Sequence, residues 1–204
     1  MNSTPNLAQI FDYGMHAEHI NHGEVQPFIV MPLLLGRTLR EVVSDGPLPW
    51  PRAVHAIRQL LAGLGALHAA GVLHRDVKLD NCILVREHGR EVLKVIDLGL
   101  AKVTREQIVS SPPISAPGAI VGTLLYVAPE LALGEAADER SDLYAVGVAL
   151  YELLTRRPPF RGSAYEVMVG HVEHLPAPPS EVAAMAGIPP GLDEITLKAL
   201  AKDR

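Results

Sequence analysis

The feature that most constrains this chain is the octapeptide His74-Arg75-Asp76-Val77-Lys78-Leu79-Asp80-Asn81. It sits where a helical pattern gives way to a strand pattern. From Pro51 to about Ala70, the residues Val54, Ile57, Leu61, Leu64 and His68 fall three or four apart and predict one buried stripe. Gly71 is a natural left-handed stop, and Gly63 and Gly65 weaken the helix where a neighbour would have to pack closely. After the octapeptide come CILV at 82–85 and VLKVI at 92–96, joined by the polar turn EHGR, which predict a β-hairpin. A carboxylate, a lysine two residues on and an amide five residues on are thus held at a helix-to-strand junction.

That set suits phosphoryl transfer. A carboxylate orients an attacking hydroxyl and accepts its proton. An ammonium neutralises charge on the moving phosphoryl, and an amide oxygen binds a hard cation. The octapeptide alone is also compatible with a small-molecule phosphotransferase. Asp97-Leu98-Gly99 follows the second strand, and an aspartate at a strand end before a turning glycine can chelate magnesium.

The rest of the chain reads as one domain without internal repeats. Residues 28–31 (FIVM) predict a strand, with 7–13 as its hairpin partner, and Gly36 breaks the chain. Thr38 can cap a short helix through about Ser44. Residues 102–122, rich in Ser, Pro and Gly, predict a long functional loop. A strong helix runs from about Glu139 to Thr155, with Leu143, Val146, Leu150 and Leu153 or Leu154 inward, and Pro158-Pro159 ends it. Weaker helices follow near 163–174 and 191–202, separated by the loop LPAPPSEV.

Composition narrows the function classes. With 48% hydrophobic and 20% charged residues, 204 residues can build a core. A net charge of −5 gives no electrostatic reason to seek nucleic acid or anionic membrane. The single cysteine, Cys82, excludes an internal disulfide, fits a reducing cytoplasm and reads as a buried small residue. No stretch reads as a signal peptide or a membrane span. The triad His16, His19 and His22 reads as a loop, and His171 and His174 read as solvated surface.

Two further strings complete an ordered series: Gly122-Thr123 with Tyr126-Val127-Ala128-Pro129-Glu130, and Ser141-Asp142-Leu143-Tyr144 running on to Arg157-Pro158-Pro159-Phe160. The order H-R-D-x-K-x-x-N, D-[FL]-G, A-P-E and S-D-x-Y-x-x-G resembles that of eukaryotic-type protein kinases. The wording is most similar to the bacterial Ser/Thr kinases, and the likeness covers nearly the whole chain. The resemblance implies an α+β, protein-kinase-like fold: 1–31 the end of the small lobe, 32–36 the hinge, and 37–204 the helical large lobe.

It also implies roles. Asp76 would be the base, Lys78 would contact the transferring phosphate, and Thr123 would bridge the two. Asn81 and Asp97 would hold Mg2+. ATP would lie against the gatekeeper Met31, the hinge residues Leu33 and Leu34, and Ile83 under the adenine. Arg75 would meet a phosphate on the activation loop, where Thr104, Ser110, Ser111 and Ser115 are candidate acceptors. Leu98 would fill the apolar slot before Gly99. Asp142 would be buried, accepting backbone hydrogen bonds near His74 and Arg75, and His74 would be a packing residue. The implied partner is a protein with a Ser or Thr acceptor, with a homodimer for autophosphorylation and an optional membrane anchor in the full-length protein.

Departures matter as well. No G-x-G-x-x-G precedes the hinge, and the first lysine in the chain is Lys78. The chain therefore reads as a kinase fragment lacking most of its small lobe, and inactive alone. Its last residues, AKDR, resemble the start of KDPxxRP, whose arginine pairs with the A-P-E glutamate, so Glu130 would lack that partner. A pseudokinase-like binding module is the alternative. A small-molecule kinase of the aminoglycoside type shares the Asp–Asn–Asp set but lacks A-P-E and the S-D-x-Y helix.

Overall fold

The computed structural model describes residues 4–17, 25–97 and 124–203. Its strands are β1 (Asp12–Ala17), β2 (Val25–Val30), β3 (Gly36–Thr38), β4 (Cys82–Glu87) and β5 (Arg90–Val95). Its helices are α1 (Leu39–Ser44), α2 (Trp50–Ala69), α3 (Pro129–Ala132), α4 (Glu139–Thr155), α5 (Ala164–Glu173), α6 (Pro179–Val182) and α7 (Pro190–Ala199). The mixture is α+β, with helices dominating.

Among the described residues, two small antiparallel sheets form. β1 pairs with β2, Asp12 opposite Val30 and Ala17 opposite Val25. The strand partner of β2 is therefore 12–17, displaced from the expected 7–13. The stretch before it has another use: Leu7 bridges Val95 in parallel, and the Asn6 amide donates to the Leu93 carbonyl at 3.0 Å. The second sheet has the order β3–β4–β5. Gly36 opens β3 rather than breaking the chain. A Cβ there would lie 2.2 Å from the Leu84 carbonyl oxygen, so only glycine lets the strands meet. The β4–β5 turn has His88 and Gly89 at positive φ, as a two-residue hairpin turn requires.

α1 begins with a reciprocal cap. The Thr38 hydroxyl accepts from the Glu41 amide and the Glu41 carboxylate accepts from the Thr38 amide. α2 starts with Pro51 in its first turn, where the missing N–H costs nothing, and gives way to Gly71 at φ 71°. Its buried face runs through Ala53, Ala56, Ile57, Leu60, Leu64 and Leu67, while Leu61 is exposed. The expected stripe was rotated: with apolar residues on several faces, small alanines mark the true contact. Gly63 does admit a neighbour, since a Cβ would come within 3.1 Å of the Asn6 carbonyl, but Gly65 faces open space.

α2 packs beside α4, the central helix of the core. α4 is buried from Ser141 to Thr155 on nearly every side, and only Leu143 of its expected inward residues is exposed. It stops at Arg156, a left-handed residue at φ 63°, before the two prolines are reached. α5 and α7 lie close to their expected positions, and the loop between them carries the short α6 and one 3-10 turn, Ala184–Ala186. Cys82 is buried, which pushes its thiol up to about 12.

His174 is exposed as expected, but His171 is fully buried, correcting the surface reading. Its ring makes edge contacts with Phe160 and Tyr144, and both nitrogens are hydrogen-bonded. No local period could reveal that α5 turns this position onto α4. The backbone of His16 belongs to β1, while the His16 side chain, His19 and His22 lie outside the described residues.

Candidate active site

The site begins where α2 ends. Residues 72–78 run without regular structure between α2 and a 3-10 turn at Leu79–Asn81. Asp142, in the first turn of α4, holds this segment from below. Its side chain is 3% exposed, and its two oxygens accept from the amides of His74 and Arg75, both at 2.9 Å. His68 Nε2 lies 2.8 Å from the same carboxylate. A buried carboxylate is stable only with such partners. The capped start of α4 also favours a negative charge in its first turn.

Above this anchor sits His74, completely buried. Its Nε2 faces the Ile96 carbonyl at 3.1 Å, so it carries the proton there, and Nδ1 accepts from the Asp76 amide at 3.3 Å. Burial holds its pKa below the usual imidazole range, against the opposing pull of Asp142, Asp76 and Asp97. A neutral ring bonded at both nitrogens positions backbone and has no free nitrogen for chemistry.

The three side chains of the octapeptide meet at Asp76. Lys78 Nζ donates to Asp76 Oδ2 at 2.7 Å. The Asn81 amide donates to the same oxygen at 3.0 Å and to the Asp76 backbone carbonyl at 2.8 Å. The other end of that amide, Oδ1, is an oxygen of the class that magnesium takes. The Ile96 amide donates to the Asn81 carbonyl at 3.0 Å, so Asp97 begins next to Asn81. Arg75 and Asp97 both have positive φ, 63° and 54°. Left-handed backbone at non-glycine residues is uncommon and concentrates at working sites.

A cleft beside Asp76 is lined by Arg75, Val77, Lys78, Tyr126 and Val127. Tyr126 is fixed by a group that the spacing argument missed. Its hydroxyl donates to Glu152, which is 4% exposed on α4, and accepts from Arg40 Nη2 at 2.9 Å. Arg40 also bonds Glu152 directly and reaches Asp80 at 3.3 Å, tying α1, the 3-10 turn and α4 together. Burial and then the Glu152 charge raise the Tyr126 pKa, so its hydroxyl keeps its proton. One signal was available: an acid inside the apolar run of α4 must find a cation.

Other expected site residues are dispersed. Met31 and Leu34 are half-buried and Leu33 is exposed, all in the segment between β2 and β3. Ile83 lies on β4 opposite Thr38. Glu130 is buried and accepts from the Ser141 hydroxyl. Leu98, Gly99, Thr123 and the loop acceptors Thr104, Ser110, Ser111 and Ser115 lie outside the described residues. Among the described residues, no three His, Cys, Asp or Glu side chains group as a metal site. Asn81 and Asp97 still fit magnesium, which takes few protein ligands and fills its shell with phosphate oxygens and water.

The protein kinase domain family matches residues 3–181. The chain belongs to the protein kinase family. A relative in Bifidobacterium longum, named probable serine/threonine-protein kinase PknB, is 39% identical over 99% of this chain and 29% of its own length. Serine/threonine-protein kinase PknL of Mycobacterium tuberculosis is 38% identical over 97% of this chain and 46% of its own length. The chain thus spans less than half the length of these curated kinases. Among solved structures, a double mutant of the M. tuberculosis PknI kinase domain superposes with a TM-score of 0.65 at 23% identity. It covers 98% of this chain and 64% of its own, a likeness of fold. Among the described residues of this kinase chain, no helix is long and apolar enough to cross a membrane.

Proposed function

We propose that this chain is the large lobe of an ATP-dependent kinase that phosphorylates Ser or Thr hydroxyls of proteins. The observation that carries the reading is the convergence of Lys78 and Asn81 on one carboxylate oxygen of Asp76. Asp76 accepts the hydroxyl proton as the acceptor oxygen bonds to the γ-phosphorus and the bond to the β–γ bridging oxygen breaks, leaving ADP. Lys78 moves from its bond with Asp76 to the transferring phosphoryl group, where its charge is needed. Bound magnesium would neutralise phosphate charge from Asn81 and Asp97. Met31 would be the gatekeeper, Leu33 and Leu34 the hinge contacts and Ile83 the residue under the adenine; Arg75 would receive an activation-loop phosphate, and Thr123 would bridge Asp76 and Lys78. Residues 1–31 would be the end of the small lobe, 32–36 the hinge and 37–204 the large lobe. The setting is cytoplasmic, with a homodimer for autophosphorylation in a longer protein.

The 204 residues by themselves should transfer phosphate poorly. No lysine precedes Lys78, and no glycine-rich cover precedes the hinge. Phosphoryl transfer depends on such positioning of the triphosphate. The test is to supply magnesium, labelled ATP and a generic Ser/Thr substrate, with and without a small lobe grafted from a relative. Turnover is expected only in the grafted form, and Asp76→Asn should abolish it. Silence of the grafted form would sink the kinase reading in favour of a pseudokinase. Fast turnover of the chain alone would sink the positioning argument.

A further inference from the structure

Four groups from distant parts of the chain form a line that the proposed chemistry does not use. Lys202, beyond α7, places Nζ 3.1 Å from the Tyr144 hydroxyl on α4 and 3.1 Å from the Gly170 carbonyl on α5. The Tyr144 hydroxyl lies 2.9 Å from His171 Nδ1, and His171 Nε2 lies 3.1 Å from the Leu125 carbonyl. The Phe160 ring stands edge-on to His171, with centroids 5.0 Å apart, and Lys202 Nζ lies 4.5 Å from the same ring's centre.

The direction of every bond follows from what each group can give. A carbonyl only accepts, so His171 carries its proton on Nε2. An ammonium only donates, so the Tyr144 oxygen accepts from Lys202. The tyrosine proton then has one destination in the line, the lone pair on Nδ1 of a neutral ring. Burial and the nearby Lys202 charge keep that ring neutral, bringing His171 down to about 4.

We propose that this one-way hydrogen-bond line, from Lys202 through Tyr144 and His171 to Leu125, positions segment 124–127 as the wall of the acceptor cleft. Its use rests on the kinase reading. Leu125 precedes Tyr126 and Val127, which line the cleft with Asp76 and Lys78. The segment is thereby held twice: through the Tyr126 side chain by Glu152, and through the Leu125 backbone by His171. His171 is a positioning residue, and the line ties the end of α7 to the place where a peptide would lie.

The test uses the whole 204-residue chain, labelled with 15N. The His171 ring should show the Nε2–H tautomer, unprotonated, from about pH 5.5 to 7, below the value of about 8 to which burial lowers Lys202. Exchange of the Val127 amide, which is bonded to the Leu124 carbonyl, should quicken about threefold to tenfold in Tyr144→Phe and Lys202→Met. His171→Gln, which keeps a donor for Leu125, should stay within about twofold of the parent. A ring with its proton on Nδ1, or unchanged Val127 exchange in a folded Tyr144→Phe chain, would overturn the proposal. In the grafted form, Tyr144→Phe should raise KM for peptide several-fold and leave KM for ATP alone. Equal values for both would also overturn it. An inactive grafted parent defeats the kinase reading instead, and the tautomer and exchange results stand independently of that outcome.

Discussion

The α2–α4 body and the β1–β2 hairpin have similar shares of apolar residues and opposite fates. In the body, Leu60, Leu64, Val148, Leu153 and Leu154 are completely buried, and the polar groups among them are paired. In the hairpin, Phe11 is 59%, Tyr13 81% and Met15 65% exposed, with Leu33 at 86% just beyond. What differs is the partner. A helix with its apolar residues on several sides finds neighbours on most of them, another helix and β5 in the case of α2. A two-stranded ribbon buries little by itself, since two strands are marginal without a third layer. The loop that carries Asp76 is anchored to the first region through Asp142.

The largest effect that would break this comparison is a core truncation. Leu60→Ala should cost roughly 3–5 kcal/mol in chemical denaturation; a loss below about 1 kcal/mol would mean α2 is not part of the body. Asp142→Ala leaves two backbone amides and His68 facing a gap. It should cost about 3 kcal/mol and loosen the His74–Arg75 amides to hydrogen exchange. Full protection of those amides in the variant would show that the carboxylate is not their anchor.

Acid offers a finer probe of the same body. His171 has its folded value lowered to about 4 from 6.5 by burial and then by Lys202, whereas the unfolded chain takes up a proton first. Stability should therefore fall as pH drops from about 6.5 towards 4, by up to about 3 kcal/mol. The facing groups are Tyr144 and Lys202, with Glu130 acting on Tyr144, and none of the first two changes charge in that window. His74 is shifted the same way, so His171→Gln should flatten the pH slope in part. An unchanged slope would place the effect elsewhere. The smallest effect belongs to the hairpin: Tyr13→Ser should change stability by under about 0.5 kcal/mol while reducing self-association in light scattering. A large loss would show that the ribbon is packed after all.

How much of this was legible depended on whether the signal was local. The Asp76, Lys78 and Asn81 spacing is a property of one loop, and the loop brings all three together as read. Helix bounds at Thr38 and Glu139 carried cap chemistry in the chain itself. Leu61 and Leu143 were misplaced because a helix with apolar residues on several faces does not declare which one meets its neighbour. His171 was misread, and Arg40, Tyr126 and Glu152 were missed, for a common reason. Their partners lie 26 to 112 residues away in sequence, a separation no local pattern encodes. The left-handed backbone at Arg75 and Asp97 had no glycine to announce it.

The lone cysteine at the head of β4 has a practical consequence. Sealed from solvent and kept in the thiol form at neutral pH, Cys82 is inert to alkylating reagents while the chain is folded. It reacts only in molecules that have opened around it. The rate of its modification is therefore a clock for breathing of the molecule, read by mass with no label added and no second thiol to confuse the count.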